Sequence, residues 1–243
     1  MKQKRKGHRR LLAHHNSMSS PLLPYHIEGV LEAGIDEAGR GPLFGRVYVA
    51  AVILPQSTED FDHSLMKDSK RFSSKKKIEQ AYDHIIQRAI GYKVAYADER
   101  EIEKINIRQA TLSCMHECVR GLPIEPEHLL VDGCDFKPFM TVTDDGFKSI
   151  SHTCIEGGDN KYTAIAAASI LAKVERDRYV IKMCDEYPWL DEFYGLRSNK
   201  GYGTKKHLDG IRKNGISEWH RRSFGICKTA PSIKGIGQEA LIS

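Results

Sequence analysis

The sequence predicts an α/β fold, and three observations carry that expectation. Short apolar runs rich in Val, Ile and Leu alternate with longer segments whose apolar residues recur at helical spacing. With 243 residues, 40% of them apolar and 28% charged, the chain can bury a substantial core. Carboxylates also sit at or just past the ends of three apolar runs, at Asp36, Asp132 and Asp159, each with a glycine within two residues. Such repetition points to strands of one sheet that share a functional edge.

In chain order, residues 1–24 read as a basic, disordered N-terminal arm. Lys2, Lys4, Arg5, Lys6, Arg9 and Arg10 have no acid among them, and a Ser- and Pro-containing stretch follows. Met18 offers an alternative start, and organelle targeting is a second reading of the arm. Leu31–Ile35 and Val47–Leu54 predict two strands joined by a turn short enough for an antiparallel pair. Ile78, Ala81, Tyr82, Ile85, Ile86 and Ala89 predict a helix behind Ser73 and Ser74 as caps, with Gly91 ending it. Tyr92–Ala97 alternates as a third strand, and Ile105–Val119 has helical spacing.

His128–Gly133 then predicts a short buried strand, residues 134–149 a polar loop with short extended pieces, and Ile150–Ile155 a fifth strand. A long helix follows from Tyr162 to about Cys184. Its first half, Ala164–Ala172, is small and apolar on nearly every face, so it is expected against the sheet. A helix from Thr204 to Lys213, ending near Gly215, and the segment Trp219–Phe224 carry the domain to residue 226. Residues 227–243 read as a flexible tail. The domain thus spans 25–226, with a basic, helical C-terminal part from about 185.

Charge is unevenly distributed. Residues 29–196 hold 21 Lys and Arg against 28 Asp and Glu, whereas residues 197–228 hold nine Lys and Arg against Asp209 and Glu218. An acidic body between basic flanks suits cation binding in the middle and phosphate binding outside it. No apolar run approaches the roughly 20 residues needed to cross a bilayer, and Leu11-Leu12-Ala13 is too short for a secretory core, so a cytoplasmic, non-membrane protein is expected. The six cysteines show no Cys-x-x-Cys spacing and read as reduced structural thiols. A monomer is the default.

If the strands lie side by side, Asp36, Glu37, Asp132 and Asp159 come within reach of one another. Gathered carboxylates raise one another's pKa and favour protonation. Divalent cations resolve the conflict, because hard Mg²⁺ or Mn²⁺ takes oxygen ligands and keeps positions open for water and phosphate oxygens. Two such ions about 3.5–4 Å apart can activate water and stabilise a leaving oxygen, which implies phosphodiester hydrolysis.

Six ordered segments carry a resemblance. Gly34-Ile35-Asp36-Glu37-Ala38-Gly39-Arg40-Gly41-Pro42, Asp68-Ser69-Lys70, Leu130-Val131-Asp132-Gly133, Gly158-Asp159 before Ala166–Val174, Gly201-Tyr202-Gly203-Thr204-Lys205-Lys206-His207, and His220-Arg221-Arg222-Ser223-Phe224 together resemble the ribonuclease HII family. The resemblance runs from about residue 30 to 226. It implies a ribonuclease-H-like fold, with a mixed five-stranded sheet, helices on both faces and a helical C-terminal part.

It further implies that Asp36, Glu37, Asp132 and Asp159 are the metal-binding and catalytic acids, with Mg²⁺ or Mn²⁺ in a two-metal mechanism. Gly39, Arg40 and Gly41 match the segment whose backbone recognises a 2′-hydroxyl, consistent with close backbone approach at glycine and with the 2′-hydroxyl as the mark of RNA. Tyr202 matches a tyrosine that stacks on the sugar following the ribonucleotide, and Lys70 a phosphate-contacting lysine. The implied activity is metal-dependent hydrolysis of RNA in RNA/DNA hybrids. It includes cutting 5′ of single ribonucleotides in duplex DNA, leaving 3′-hydroxyl and 5′-phosphate ends.

One departure stands out. Gly157 occupies the place where the family usually has a lysine, and Lys161 is the nearby candidate for a replacement charge. Three neighbours have plainer readings: Asp177 as the ion-pair partner of Arg176 or Arg178, Asp135 as a turn acid, and His207 as a cap or packing residue. Two rival functions stay open. One is a type-three ribonuclease H acting on longer hybrids, and the other a nucleic-acid-binding module with impaired catalysis.

Overall fold

In the computed structural model, which describes residues 21–144 and 146–233, six strands form one mixed sheet. They are β1 (Glu32–Ala38), β2 (Val47–Ile53), β3 (Gly91–Ala97), β4 (His128–Asp132), β5 (Phe139–Thr143) and β6 (Gly146–Ile155), in the order β3-β2-β1-β4-β6-β5. The antiparallel pair β1–β2 is joined by the Gly39–Arg46 loop, with Ala33 opposite Ile53 and Ala38 opposite Tyr48. Next to it, β4 runs parallel to β1 with Ile35 beside Val131, and β6 runs parallel to β4 with Asp132 beside Ile155. Three neighbouring strands therefore end on the same edge.

Every residue of β2 is buried, because both faces of the sheet are covered. Tyr48, Ala50 and Val52 belong to a core shared with α1 (Lys75–Arg88) and α3 (Thr163–Glu186). Val47, Val49, Ala51 and Ile53 point the other way, into a core shared with α2 (Glu99–Arg120). The Ala-rich start of α3 lies buried on β1, as its composition predicts. Gly34 makes that approach feasible, since a Cβ there would overlap the Ala164 backbone.

The expected five strands are six. Phe139–Thr143 and the first part of β6 pair as an antiparallel hairpin where the sequence reads as a polar loop. The reason is local: Phe139 is buried but Met140, Val142 and Phe147 are exposed, so the hairpin shows no alternation toward a core. Helix α2 also starts earlier than predicted. Asp98 caps it by accepting from the Glu101 amide, and Asn106, at φ 65°, breaks the helical run just where the readable periodicity begins.

Beyond α3 lie α4 (Trp189–Tyr194), α5 (Leu196–Asn199) and α6 (Lys205–Asn214). Thr204 caps α6 and Gly215 closes it. This helical part is pinned to the loop after β1. Leu43 donates to the Gly201 carbonyl, Gly45 to that of Trp219, and Arg221 to that of Leu43, each at 2.8 Å. Within the expected arm, residues 1–20 lie outside the described residues, while Leu23 docks by backbone hydrogen bonds to Lys161 and Thr163. Within the expected tail, Ile233 donates to the Ile216 carbonyl, and residues 234–243 lie outside the described residues. No described helix is long and apolar enough to cross a membrane.

Candidate active site

The parallel register places the acids. Ile35 and Val131 are direct neighbours on β1 and β4, so Asp36 and Asp132 follow on adjacent strands at the same edge. After β6, the turn through Gly157 and Gly158 brings Asp159 back to that edge. The Gly158 amide donates to Asp132 Oδ1 at 2.7 Å, fixing that turn to the end of β4. Asp36 and Asp159 are 5% and 7% exposed, and Glu37 is mostly covered, so three of the four acids are held largely away from water.

Their electrostatics follow from that placement. Burial, reinforced by the charges of Glu37 and Asp132, pushes Asp36 well above the usual carboxylate range. Glu37 is also raised by burial, although Arg40, 3.3 Å away, opposes the rise. Burial raises Asp159 too, followed by the charges of Asp68 and Asp132. Lys70 is the cation that opposes the rise at both Glu37 and Asp159. Lys161 does not take that part, because its ammonium donates to the Glu156 carbonyl at 2.9 Å. Gly157 itself has a left-handed φ of 62°, which glycine adopts without penalty.

Among the described residues, no three His, Cys, Asp or Glu side chains are already gathered as a closed metal cage. Local donors hold the acids instead: Asp36 accepts from the Glu37 amide at 2.7 Å, Asp132 from Gly158, and Asp159 from the Asn160 side chain at 3.0 Å. The donor set nonetheless suits a hard dication. It consists of oxygens alone, and its burial and mutual repulsion raise the protonation range of Asp36, Glu37 and Asp159.

Beside the acids, directly after β1, lies the Gly39–Gly41 turn. Gly39 has φ 95°, and a Cβ there would overlap the Arg176 side chain. A Cβ on Gly41 would stand 3.8 Å from the Tyr202 ring, so the half-exposed tyrosine flanks the turn. Arg40 and Lys70 are exposed nearby. The geometry thus brings all nine sequence-predicted residues to one face: four acids, Gly39, Arg40 and Gly41, Lys70, and Tyr202.

Sequence reasoning passed over four others. Asp68 adds a carboxylate felt by Asp159. Ser169 on α3 hydrogen-bonds to Asp36 and meets Ser69 at 3.0 Å, and its only sequence signal is a hydroxyl within an alanine run. Arg176 and Arg221 are 2% and 0% exposed behind the turn, where their long-range carbonyl partners leave no local pattern. The plainer readings also sort out. Asp135 pairs with Arg108 at 2.6 Å, and His207 packs in the interior. Asp177 pairs with Lys173 rather than with either neighbouring arginine, since i,i+4 spacing aligns those side chains on one helix face.

The sequence model of the ribonuclease HII family matches residues 33–227. Ribonuclease HII of Phocaeicola vulgatus is 44% identical over 214 residues, covering 88% of this chain and 98% of that protein. Ribonuclease HII of Parabacteroides distasonis is 46% identical over 209 residues, covering 84% and 95%. Among solved structures, the ribonuclease H2 from Pyrococcus horikoshii OT3 superposes with a TM-score of 0.66 at 24% identity, covering 81% of this chain and 95% of that one. Bst-RNase HIII in complex with Mn²⁺ superposes at 0.55 with 17% identity, covering 76% and 70%. At those identities the structures establish the shared ribonuclease-H-like fold, while the sequence matches establish the family. The chain belongs to the ribonuclease HII family of ribonuclease H enzymes.

Proposed function

We propose that this ribonuclease H is a divalent-metal-dependent endonuclease. It hydrolyses the RNA strand of RNA/DNA hybrids and cuts 5′ of a single ribonucleotide in duplex DNA, leaving 3′-hydroxyl and 5′-phosphate ends. The observation that carries this reading is the convergence of Asp36, Asp132 and Asp159 at the ends of three neighbouring parallel strands, facing a glycine turn flanked by Tyr202. Domain limits follow the same logic. Residues 25–226 form the catalytic unit, and the basic segment before it adds sequence-independent affinity for phosphate.

Asp36, Glu37, Asp132 and Asp159 would hold Mg²⁺ or Mn²⁺, which when bound supplies an activated water and charge stabilisation at the scissile phosphate. The chain's own residues do the rest. Gly39, Arg40 and Gly41 bring backbone amides against the sugar; a side chain on Gly39 would displace Arg176 behind the turn, and Gly41 leaves the backbone bare beside Tyr202. Tyr202 supports the sugar of the next nucleotide, and exposed Lys70 meets a phosphate. The acids that accept backbone amides exclude free rotation of their carboxylates, so ligand oxygens are aimed before any ion arrives.

The test uses the full chain with Mg²⁺ or Mn²⁺ and two labelled substrates, a DNA duplex carrying one ribonucleotide and a long RNA/DNA hybrid. Cleavage 5′ of the single ribonucleotide is the expected result. Cutting the hybrid alone would favour a type-three specificity, and binding without cutting would favour a catalytically impaired module.

A further inference from the structure

Arg221 is fully buried, yet every hydrogen bond its guanidinium donates goes to a backbone carbonyl of one loop, and the Phe224 ring centre lies 5.1 Å from it. Nη2 donates to the Gly39 carbonyl at 2.7 Å, Nη1 to those of Arg40 and Pro42 at 3.1 and 3.0 Å, and Nε to that of Gly45 at 2.7 Å. Arg176 grips the same loop from α3, donating to the Phe44 and Arg46 carbonyls at 3.3 Å, and its guanidinium lies 5.8 Å from the centre of the Tyr202 ring. Among the described residues, neither arginine pairs with a carboxylate. Two buried cations with no carboxylate in ion-pair contact are costly, and they also repel each other, with the more distant charges of Glu99 and Asp177 offsetting part of this. A turn of ordinary purpose does not require them.

The carbonyls of Gly39 and Arg40 belong to the same peptide groups as the amides of Arg40 and Gly41. Among the described residues those two amides have no hydrogen-bond partner, and both residues lie at the surface beside Tyr202. A cation hydrogen-bonded to a carbonyl polarises the whole peptide and strengthens its N–H as a donor. It also fixes the direction of that donor before a ligand arrives, which is how preorganised dipoles gain their effect.

We propose that Arg221, assisted by Arg176, is a positioning residue for specificity: it orients and polarises the Arg40 and Gly41 amides to read the 2′-hydroxyl of the ribonucleotide. The inference rests on the junction-reading function proposed above. It assigns the discrimination to a residue that touches no substrate, 180 residues away in sequence from the amides it governs. The guanidinium's planar fork reaches four carbonyls at once, and a lysine ammonium with three donors on a flexible stem cannot.

The experiment is equilibrium binding of metal-free protein, so that nothing is cleaved, to two labelled duplexes identical except for one ribonucleotide. Wild type is expected to prefer the ribonucleotide duplex. Arg221→Lys, which keeps the charge, is expected to bind the all-deoxy duplex as wild type does and to lose about tenfold or more of the preference, because a site built to bond a hydroxyl gains selectivity from that bond. A variant that retains the wild-type preference, or loses affinity for both duplexes by the same factor, overturns the assignment while leaving the junction reading intact. Absence of any preference in wild type overturns the junction reading and this inference with it. Should Arg221→Lys unfold, Arg176→Lys is held to the same measurement, with a smaller loss expected and an unchanged preference overturning the proposal.

Discussion

Two buried polar regions meet at the Gly39–Arg46 loop, and they are built on opposite rules. At the strand ends, Asp36, Glu37, Asp132 and Asp159 are crowded acids, with burial and like charges raising three of them. In the C-terminal part, Arg221, His207 and His220 are as deeply buried, but hydrogen bonds satisfy them. His207 Nδ1 lies 3.0 Å from the Tyr202 carbonyl, which can only accept, so that nitrogen carries the proton. His207 Nε2 is then an acceptor for His220 Nε2–H at 3.0 Å, and His220 Nδ1 accepts from the Ser217 amide at 3.1 Å. One region is complete without a ligand and acts as scaffold; the other carries an unresolved charge conflict that a bound cation would relieve.

That contrast breaks most visibly at the acids. Asp36→Asn and Asp159→Asn should each cut the cleavage rate by more than about 100-fold, since even groups that merely support metal ligands contribute 10- to 100-fold. Hybrid binding should persist, and the metal-free fold should be as stable as wild type or more so, because a repelled charge has been removed. Single-turnover cleavage beside thermal unfolding checks both halves. An active Asp159→Asn enzyme would contradict the assignment.

The second prediction attacks the scaffold. His220→Phe keeps an aromatic ring, slightly larger than imidazole, but leaves His207 Nε2 and the Ser217 amide without their partner inside the core. Each orphaned group costs about 1–3 kcal/mol. A loss of about 4 kcal/mol corresponds to a fall in Tm of roughly 8–16 °C in a chain of this size. Cleavage by the folded fraction should decline less than in the acid variants, with the loss appearing in KM through the Tyr202 segment. An unchanged Tm would mean that the histidine pair is not part of the scaffold.

Legibility in the sequence divides along the same line. The strand-end acids were readable because a strand followed by an acid and glycine is a local pattern, and it recurs at Asp36 and Asp132. The Ala164–Ala172 run likewise announces a buried helix, since nothing in it can face water usefully. Arg221 reads only as one residue in a basic cluster, because its carbonyl partners lie near residues 39–45 and carbonyls leave no trace in a sequence. The β5 hairpin was missed for a related reason: its apolar residues point outward, so periodicity had no core to report. Side-chain chemistry at element ends is readable from the chain, whereas backbone acceptors gathered by topology are not.

The smallest predicted effect sharpens the comparison most, because the two regions should respond to pH with opposite sign. Burial drives His220 well below its ordinary 6.5, and His207 is lowered for the same reason. The unfolded chain therefore binds protons that the fold excludes, and the stability this pair contributes is present above about pH 6.5 and lost as pH falls below it. The acids run the other way. With Asp36 raised above its ordinary 3.8, the fold binds more protons than the unfolded chain, so that contribution is present at low pH and lost as pH rises through the folded value. Thermal unfolding of metal-free protein across this range should show both limbs, each shifting Tm by a few degrees. Asp36→Asn should flatten the decline with rising pH and leave the acid-side loss from the histidines in place. Mg²⁺ held by these acids as proposed would bind the fold alone and favour ionised carboxylates, so it should raise Tm more at pH 8 than at pH 5. Equal gains at both pH values would separate the cation from these acids and remove the distinction between scaffold and site.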